Sequence, residues 1–280
     1  MKKMTLGFGR AASLSFLGMA AMSILTVHAQ VTITTANGLW NSGVESDNVT
    51  LIPGNSNGQN NPADPHYTET YYIDGQAVQS LPPATYSSSS FGTATTTGQA
   101  YVAFPAASSS IAGESWIATT SNSQWITYQA DMGTVTNQAG SVFQTPSTAV
   151  TVYQLVLTGI PAGRLITIGG EVASDDNVTI YGNGSFLFSN FAGNDNGTNN
   201  AANYNSLTPL ANLKFTSVAG SDDLDFVVYN NGGYPTGLNV QLTGTYQAVP
   251  EPSTYALLLG GFGLLAFWRS RARRTACVKI

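Results

Sequence analysis

Hard oxygen donors gather in three short runs of the chain, Ser174-Asp-Asp-Asn177, Asn194-Asp-Asn-Gly197 and Ser221-Asp-Asp223. Carboxylate and amide oxygens on loops are the ligands that calcium takes. Asp175, Asp176 and Asn177 lead the candidates, since two carboxylates stand side by side there. No run has EF-hand or nonapeptide spacing, and Asx residues also build ordinary turns. Calcium is thus the one metal for which the sequence offers ligands, and no other cofactor is expected. Zinc and copper need several histidine or cysteine ligands. Here the only histidine beyond His28 is His66, and the single cysteine, Cys277, lies near the far end.

A Ser-His-Asp triad would have to be built on His66, between Pro65 and Tyr67, and no nucleophile elbow accompanies it. Glu45, Glu69, Glu114 and Glu171 could converge as the paired carboxylates of a glycoside hydrolase, so a secreted polysaccharide-active enzyme stands as the alternative function. The discriminator is a cleft that holds two carboxylates within about 5 to 10 Å. Carbohydrate binding without catalysis has more material. Sugar faces stack on aromatic rings while asparagine and aspartate pair with hydroxyls. Trp40, Tyr67, Trp116, Trp125 and Tyr234 are the expected contacts, with Tyr181 and Tyr204 also near asparagine-rich loops; core packing competes for each.

These residues must be carried by strands. Thr148 to Ile160 places Tyr153, Leu155 and Leu157 on one face, and Leu238 to Tyr246 alternates Leu238, Val240 and Leu242 inward with Asn239, Gln241 and Thr243 outward. Asn177 to Tyr181 turns through Gly182-Asn-Gly184 into Ser185 to Phe188, a hairpin signature. Further short strands are expected at Val31 to Thr35, Asn48 to Ile52, Thr68 to Ile73, Arg164 to Ile168, Leu213 to Thr216 and Leu224 to Tyr229. Trp116-Ile and Trp125-Ile, nine residues apart, suit neighbouring strands around a turn at Ser121 to Ser123. No stretch of the body has helical periodicity, and Asn190 to Asn205 reads as loop. The expected fold is all-β, an antiparallel β-sandwich of jelly-roll type over residues 30–247, as one domain.

Charge separates this body from the ends. Between Gln30 and Val249 the basic residues are Arg164 and Lys214 against fourteen Asp and Glu, a balance near −12 that the whole-chain value of −5 conceals. A body of that sign repels phosphate backbones, so no nucleic-acid partner is expected. With no cysteine in it, sheet packing must supply its stability.

Residues 1–29 form an expected signal peptide: Lys2, Lys3 and Arg10, an apolar stretch from Ala11 to Val27, and small residues before a cut between Ala29 and Gln30. Sec export and signal peptidase are the partners this implies. At the other end, over residues 248–280, Val249, Pro250, Glu251 and Pro252 stop the fold, since the two prolines lack amide donors and fix φ. An uncharged segment then runs as a transmembrane helix over 255–268, rising only about 21 Å against a hydrocarbon core of roughly 30 Å. Arg269, Arg271, Arg273 and Arg274 follow and would be held at the cytoplasmic face. Snorkelling and local thinning would close the gap in length.

The order Val249-Pro-Glu-Pro252, apolar segment, basic cluster resembles the PEP-CTERM sorting signal of Gram-negative bacteria. The resemblance covers about the last thirty residues. It implies recognition by an exosortase-type membrane enzyme, cleavage near Pro-Glu-Pro, and export to a surface that carries exopolysaccharide. Within the body, Asp64-Pro-His-Tyr67, Gly169 to Val178, Tyr181-Gly-Asn-Gly184 and Pro235-Thr-Gly-Leu238 look like pieces of the galactose-binding-like domains of bacterial surface proteins. Together these imply a non-enzymatic structural or carbohydrate-binding component of the cell surface or its matrix.

Overall fold

The computed structural model describes residues 29–55, 60–72, 91, 94–103, 116–130, 149–191, 201–230, 236–248 and 259–269. Eleven strands occur among them: β1 (Gln30–Ile33), β2 (Ala63–Tyr72), β3 (Thr96–Val102), β4 (Ile126–Thr127), β5 (Val150–Thr158), β6 (Leu165–Asp175), β7 (Asn177–Gly182), β8 (Ser185–Ser189), β9 (Thr208–Thr216), β10 (Ser221–Tyr229) and β11 (Gly237–Gln247). All pairings are antiparallel, along the path β8-β7-β10-β5-β2-β3-β4-β11-β6-β9 with β1 added to β11. The path folds over so that its two halves face each other, which is the antiparallel β-sandwich that the sequence predicts.

The halves are joined by side chains at the strand period of two. Tyr153, Leu155 and Leu157 of β5, Phe226 and Val228 of β10 and Ile180 of β7 meet Ile166 and Ile168 of β6 and Leu238, Val240 and Leu242 of β11 in one buried cluster. The second face of the β5-β10-β7 half is covered as well, with Val152, Val227, Tyr181 and Tyr229 packed with Phe91. Burial on both faces is why β7 has no exposed residue. At the β7–β8 reversal Asn183 and Gly184 have φ of 49° and 74°, the conformation a two-residue hairpin turn requires.

The structure departs from sequence expectation in four places. The expected strand from Asn48 to Ile52 is a single bridge, Val44 to Leu51, because Asp47 accepts from the Val49 and Thr50 amides and from the Thr50 hydroxyl and so holds a local turn in place of a ladder. The strands expected around Trp116 and Trp125 reduce to β4; the turn between them is present, closed by Thr120 N donating to Ser123 O at 3.0 Å. A short helix, α1 (Ala201–Asn205), forms inside the stretch read as loop, and Tyr204 on it packs with Trp116 and Trp125. Finally, β6 runs unbroken through Gly169 and Gly170, with a bulge there in its pairing to β9.

Both ends of the body leave from one place. Gln30 is opposite Gln247, and Ala248 N donates to Ala29 O at 2.8 Å. The signal-peptide residues 1–28 lie outside the described residues. The helix expected over 255–268 is described over 259–269. Its eleven residues rise about 16 Å. Among the described residues no helix is long and apolar enough to cross a membrane.

Candidate functional site

The chain crosses from one half of the sandwich to the other between β6 and β7, and Asp175 and Asp176 occupy that crossing, joined by a cis peptide bond. Both are 3% exposed. Asp175 Oδ2 accepts from Trp116 Nε1 at 2.6 Å, and its carbonyl accepts from Thr236 Oγ1 at 2.5 Å. Asp176 N donates to Tyr229 O at 3.1 Å, and Asn177 Oδ1 accepts from Asn203 Nδ2 at 2.6 Å. Gly237 of β11 lies opposite Asp175, and any Cβ there would press within 2.8 Å of the Trp116 ring. The three residues proposed as calcium ligands are thus contiguous and framed by three elements.

The two basic residues of the body lie toward the other end of β6. Arg164 precedes β6 and Lys214 is opposite Thr167, eight residues from Asp175 and so about 26 Å along the strand. The donor set is hard oxygen, which fits calcium chemistry. No group of three or more His, Cys, Asp or Glu side chains comes together among the described residues, so amide and backbone oxygens would have to complete a coordination shell.

The aromatic residues named as carbohydrate contacts separate clearly. Tyr67 and Trp125 are fully buried and Trp116 is 7% exposed. Tyr67 Oη donates to Trp40 O at 2.7 Å, Trp125 Nε1 donates to Ile117 O at 2.9 Å, and the two tryptophan rings stack at 4.2 Å. Protein therefore covers these three rings: Tyr67 lies on an inward face of β2, and Trp116 and Trp125 pack with Ala173 and Tyr204. Trp40 is half-buried and lies flat on His66 at 3.7 Å. Tyr234 falls outside the described residues.

Among the described residues His66 assembles no triad. Of the carboxylates nearby, Asp64 accepts from three backbone amides, Gly43 at 2.7 Å, His66 at 2.8 Å and Tyr67 at 3.3 Å, and Glu45 acts on the ring through its charge. Burial lowers the His66 pKa, with hydrogen bonds to the Glu45 and Val44 backbone and the charge of Glu45 opposing. The same burial pushes Asp64 up to about 6, with its hydrogen bonds opposing.

Glu69, five residues along β2, is also buried and has no such partners. It is 3% exposed, its Oε2 has no hydrogen-bond partner, and burial pushes its pKa up to about 7. It lines a cavity of about 290 Å³ with Thr96, Gly98, Gln99, Tyr128 and Gln129. A larger groove of about 680 Å³ lies between β1, β11 and the Asp47 turn. Among the described residues each lining includes one carboxylate, Glu69 or Asp47, and not the pair that glycoside hydrolysis uses. Glu114 falls outside the described residues. Sequence reasoning placed Glu69 only among loose acidic candidates. The signal it missed is Tyr67-x-Glu69-x-Tyr71, which puts a carboxylate on the aromatic, inward face of a strand.

The helix over 259–269 presents its apolar residues to solvent, with Leu259 71%, Leu264 66% and Trp268 77% exposed. Val249, Pro250, Glu251, Pro252, Arg271, Arg273 and Arg274 lie outside the described residues, and Arg269 ends the helix.

No curated protein matches this sequence. Among solved structures, the chain is similar to the PA14 domain of the antifreeze protein MpAFP at 15% identity and TM-score 0.31, covering 63% of this chain and 80% of that one. It is similar to a PA14 sugar-binding domain from an RTX adhesin at 16% identity and TM-score 0.27, over 63% and 88% of the two chains. A Kluyveromyces marxianus beta-glucosidase in complex with glucose follows at 6% identity and TM-score 0.29, over 81% of this chain but only 19% of the enzyme. At these values the likenesses bear on neither ligand nor activity. The family model of the PEP-CTERM protein-sorting motif matches residues 248–274, directly after β11 ends at Gln247. The chain therefore carries a PEP-CTERM sorting motif at its C-terminal end, which implies export through a membrane-associated sorting step.

Proposed function

We propose that this is an exported protein of a Gram-negative cell surface or exopolysaccharide matrix, whose β-sandwich body acts without catalysis as a structural or carbohydrate-binding component. The observation that carries the sorting half is the motif at residues 248–274. In this reading signal peptidase cuts between Ala29 and Gln30 after Sec export. The apolar helix then holds the chain in the inner membrane with Arg269, Arg271, Arg273 and Arg274 on the cytoplasmic side, and an exosortase-type enzyme acts at Val249-Pro-Glu-Pro252. The pairing of Gln30 with Gln247 supports it, since both processing sites then emerge from one edge of the body, toward one membrane.

The binding half rests on the crossing between β6 and β7. Asp175, Asp176 and Asn177 would hold calcium there, and the bound ion would supply a positive centre for sugar hydroxyl oxygens. Trp40, half-buried and stacked on His66, would offer an apolar face apart from the crossing, beside Leu242 of β11. A glycan array with and without calcium tests this. The expected result is calcium-dependent binding that Asp175→Asn with Asp176→Asn abolishes. Binding to no glycan under either condition would leave the purely structural role, and release of reducing ends from a polysaccharide would establish the enzyme alternative.

A further inference from the structure

The Glu69 carboxyl is a buried acceptor that the fold leaves unspent. On β2 it is opposite Gly98 of β3 and Tyr153 of β5. The missing side chain at Gly98 leaves it open, since a Cβ there would come within 3.7 Å of Glu69 Oε1. Beyond it Tyr71 and Tyr128 stack at 4.2 Å, nearly parallel, and Tyr128 forms one wall of the cavity. Thr96, Thr97, Gly98 and Gln99 make an exposed rim. A buried carboxylate without a partner is costly, and among the described residues no cation lines the cavity. Neither Arg164 nor Lys214 lines the cavity.

We propose that the cavity over Glu69 receives a protonated primary amine, with the Glu69 carboxylate as its counter-charge, the Tyr128 ring face beside it and rim oxygens of Thr96, Thr97, Gln99 or Gln129 taking its remaining N–H groups. An ammonium has three donors and no acceptor, which suits a lining that has one anion and several neutral oxygens. A tyrosine face adds attraction for a cation that it would not give a neutral hydroxyl. An anion is repelled by the same carboxylate, and a neutral polyol leaves the charge unanswered. This site is separate from the Asp175 crossing and does not depend on the carbohydrate reading.

The test is calorimetric titration of the full chain with glucosamine, n-butylamine and glucose. Both amines should bind, and glucose should bind about tenfold or more weakly than glucosamine, the worth of one charge-assisted hydrogen bond. Glucosamine tighter than n-butylamine identifies an amino sugar as the carrier, and the reverse order identifies an alkyl amine. Glu69→Gln removes the charge and keeps the shape, so it should cost either amine about tenfold or more. Gly98→Val keeps the charge, roofs the carboxyl and suits a strand, so it should also abolish binding. For n-butylamine, protonated to about pH 10 as lysine is, affinity should rise between pH 6 and 8 as Glu69 ionises. The titratable groups facing Glu69 are the phenols of Tyr71, Tyr101, Tyr128 and Tyr153, and burial raises Tyr71, Tyr128 and Tyr153 above the ordinary value. Equal affinity for glucose and glucosamine, no binding of either amine, or amine binding unchanged in Glu69→Gln would overturn the proposal.

Discussion

The body and the tail treat apolar surface in opposite ways. In the body even Tyr67, Trp125 and Phe226 are fully enclosed, and each strand that borders the core contributes to one continuous cluster. In the tail, Phe262, Phe267 and Trp268 are 51%, 57% and 77% exposed along one short helix. Charge divides the same way, with a body near −12 and four arginines packed into residues 269–274. The contrast teaches that the described body packs its large aromatic rings inward, whereas the tail helix leaves its own uncovered.

That contrast predicts a steep gradient of mutational effects. The largest loss should follow Gly170→Ala. Gly170 has φ of 129° at the β6 bulge, and a Cβ would collide with the Gln241 carbonyl oxygen of β11. A cost of about 3–5 kcal/mol is expected from strain plus overpacking, read as a fall in urea midpoint. Asp64→Ala comes next, since three backbone amides lose their acceptor in a buried site; about 2–4 kcal/mol is expected.

Glu69→Gln sharpens the comparison through pH. The Glu69 pKa is raised on folding to about 7, so the folded state holds a proton that the unfolded state has released. Stability from this group is present below about pH 4 and is lost as pH rises toward 7. The glutamine variant should match the parent in acid and be more stable at pH 8 by about 3 kcal/mol at most. Asp64 and Asp225, both raised to about 6 chiefly by burial, add slope of the same sign that the variant does not remove. The smallest effect is expected from deleting residues 249–280, under about 0.5 kcal/mol on the body. A deletion that unfolds the body would erase the distinction between the two regions.

Period-two alternation made much of this architecture readable beforehand. Tyr153, Leu155 and Leu157, Val178 and Ile180, and Leu238, Val240 and Leu242 all face the core as their spacing requires. The Gly182-Asn-Gly184 reversal was legible because left-handed φ favours those residue types. What escaped was set by partners distant in sequence. Asp47 diverted an expected strand into a turn, and α1 exists where Tyr204 finds Trp116 and Trp125. The candidate sites were legible only in part. Asp175 and Asp176 stood out as adjacent acids, but their position at the crossing between the two halves follows from strand order, which spacing does not encode. Tyr67, Trp116 and Trp125 have the composition of sugar platforms and the burial of a core, and only packing separates the two. Glu69 and Asp64 look alike in sequence; their difference is that backbone amides converge on one and on the other none.

The intact mass of the protein recovered from the cell surface tests the central claim most directly. The account predicts a chain that begins at Gln30 and ends near Val249-Pro-Glu-Pro252, without the apolar helix and arginines. A full-length chain from Met1 to Ile280, recovered from the cytosol with none at the surface, would contradict it.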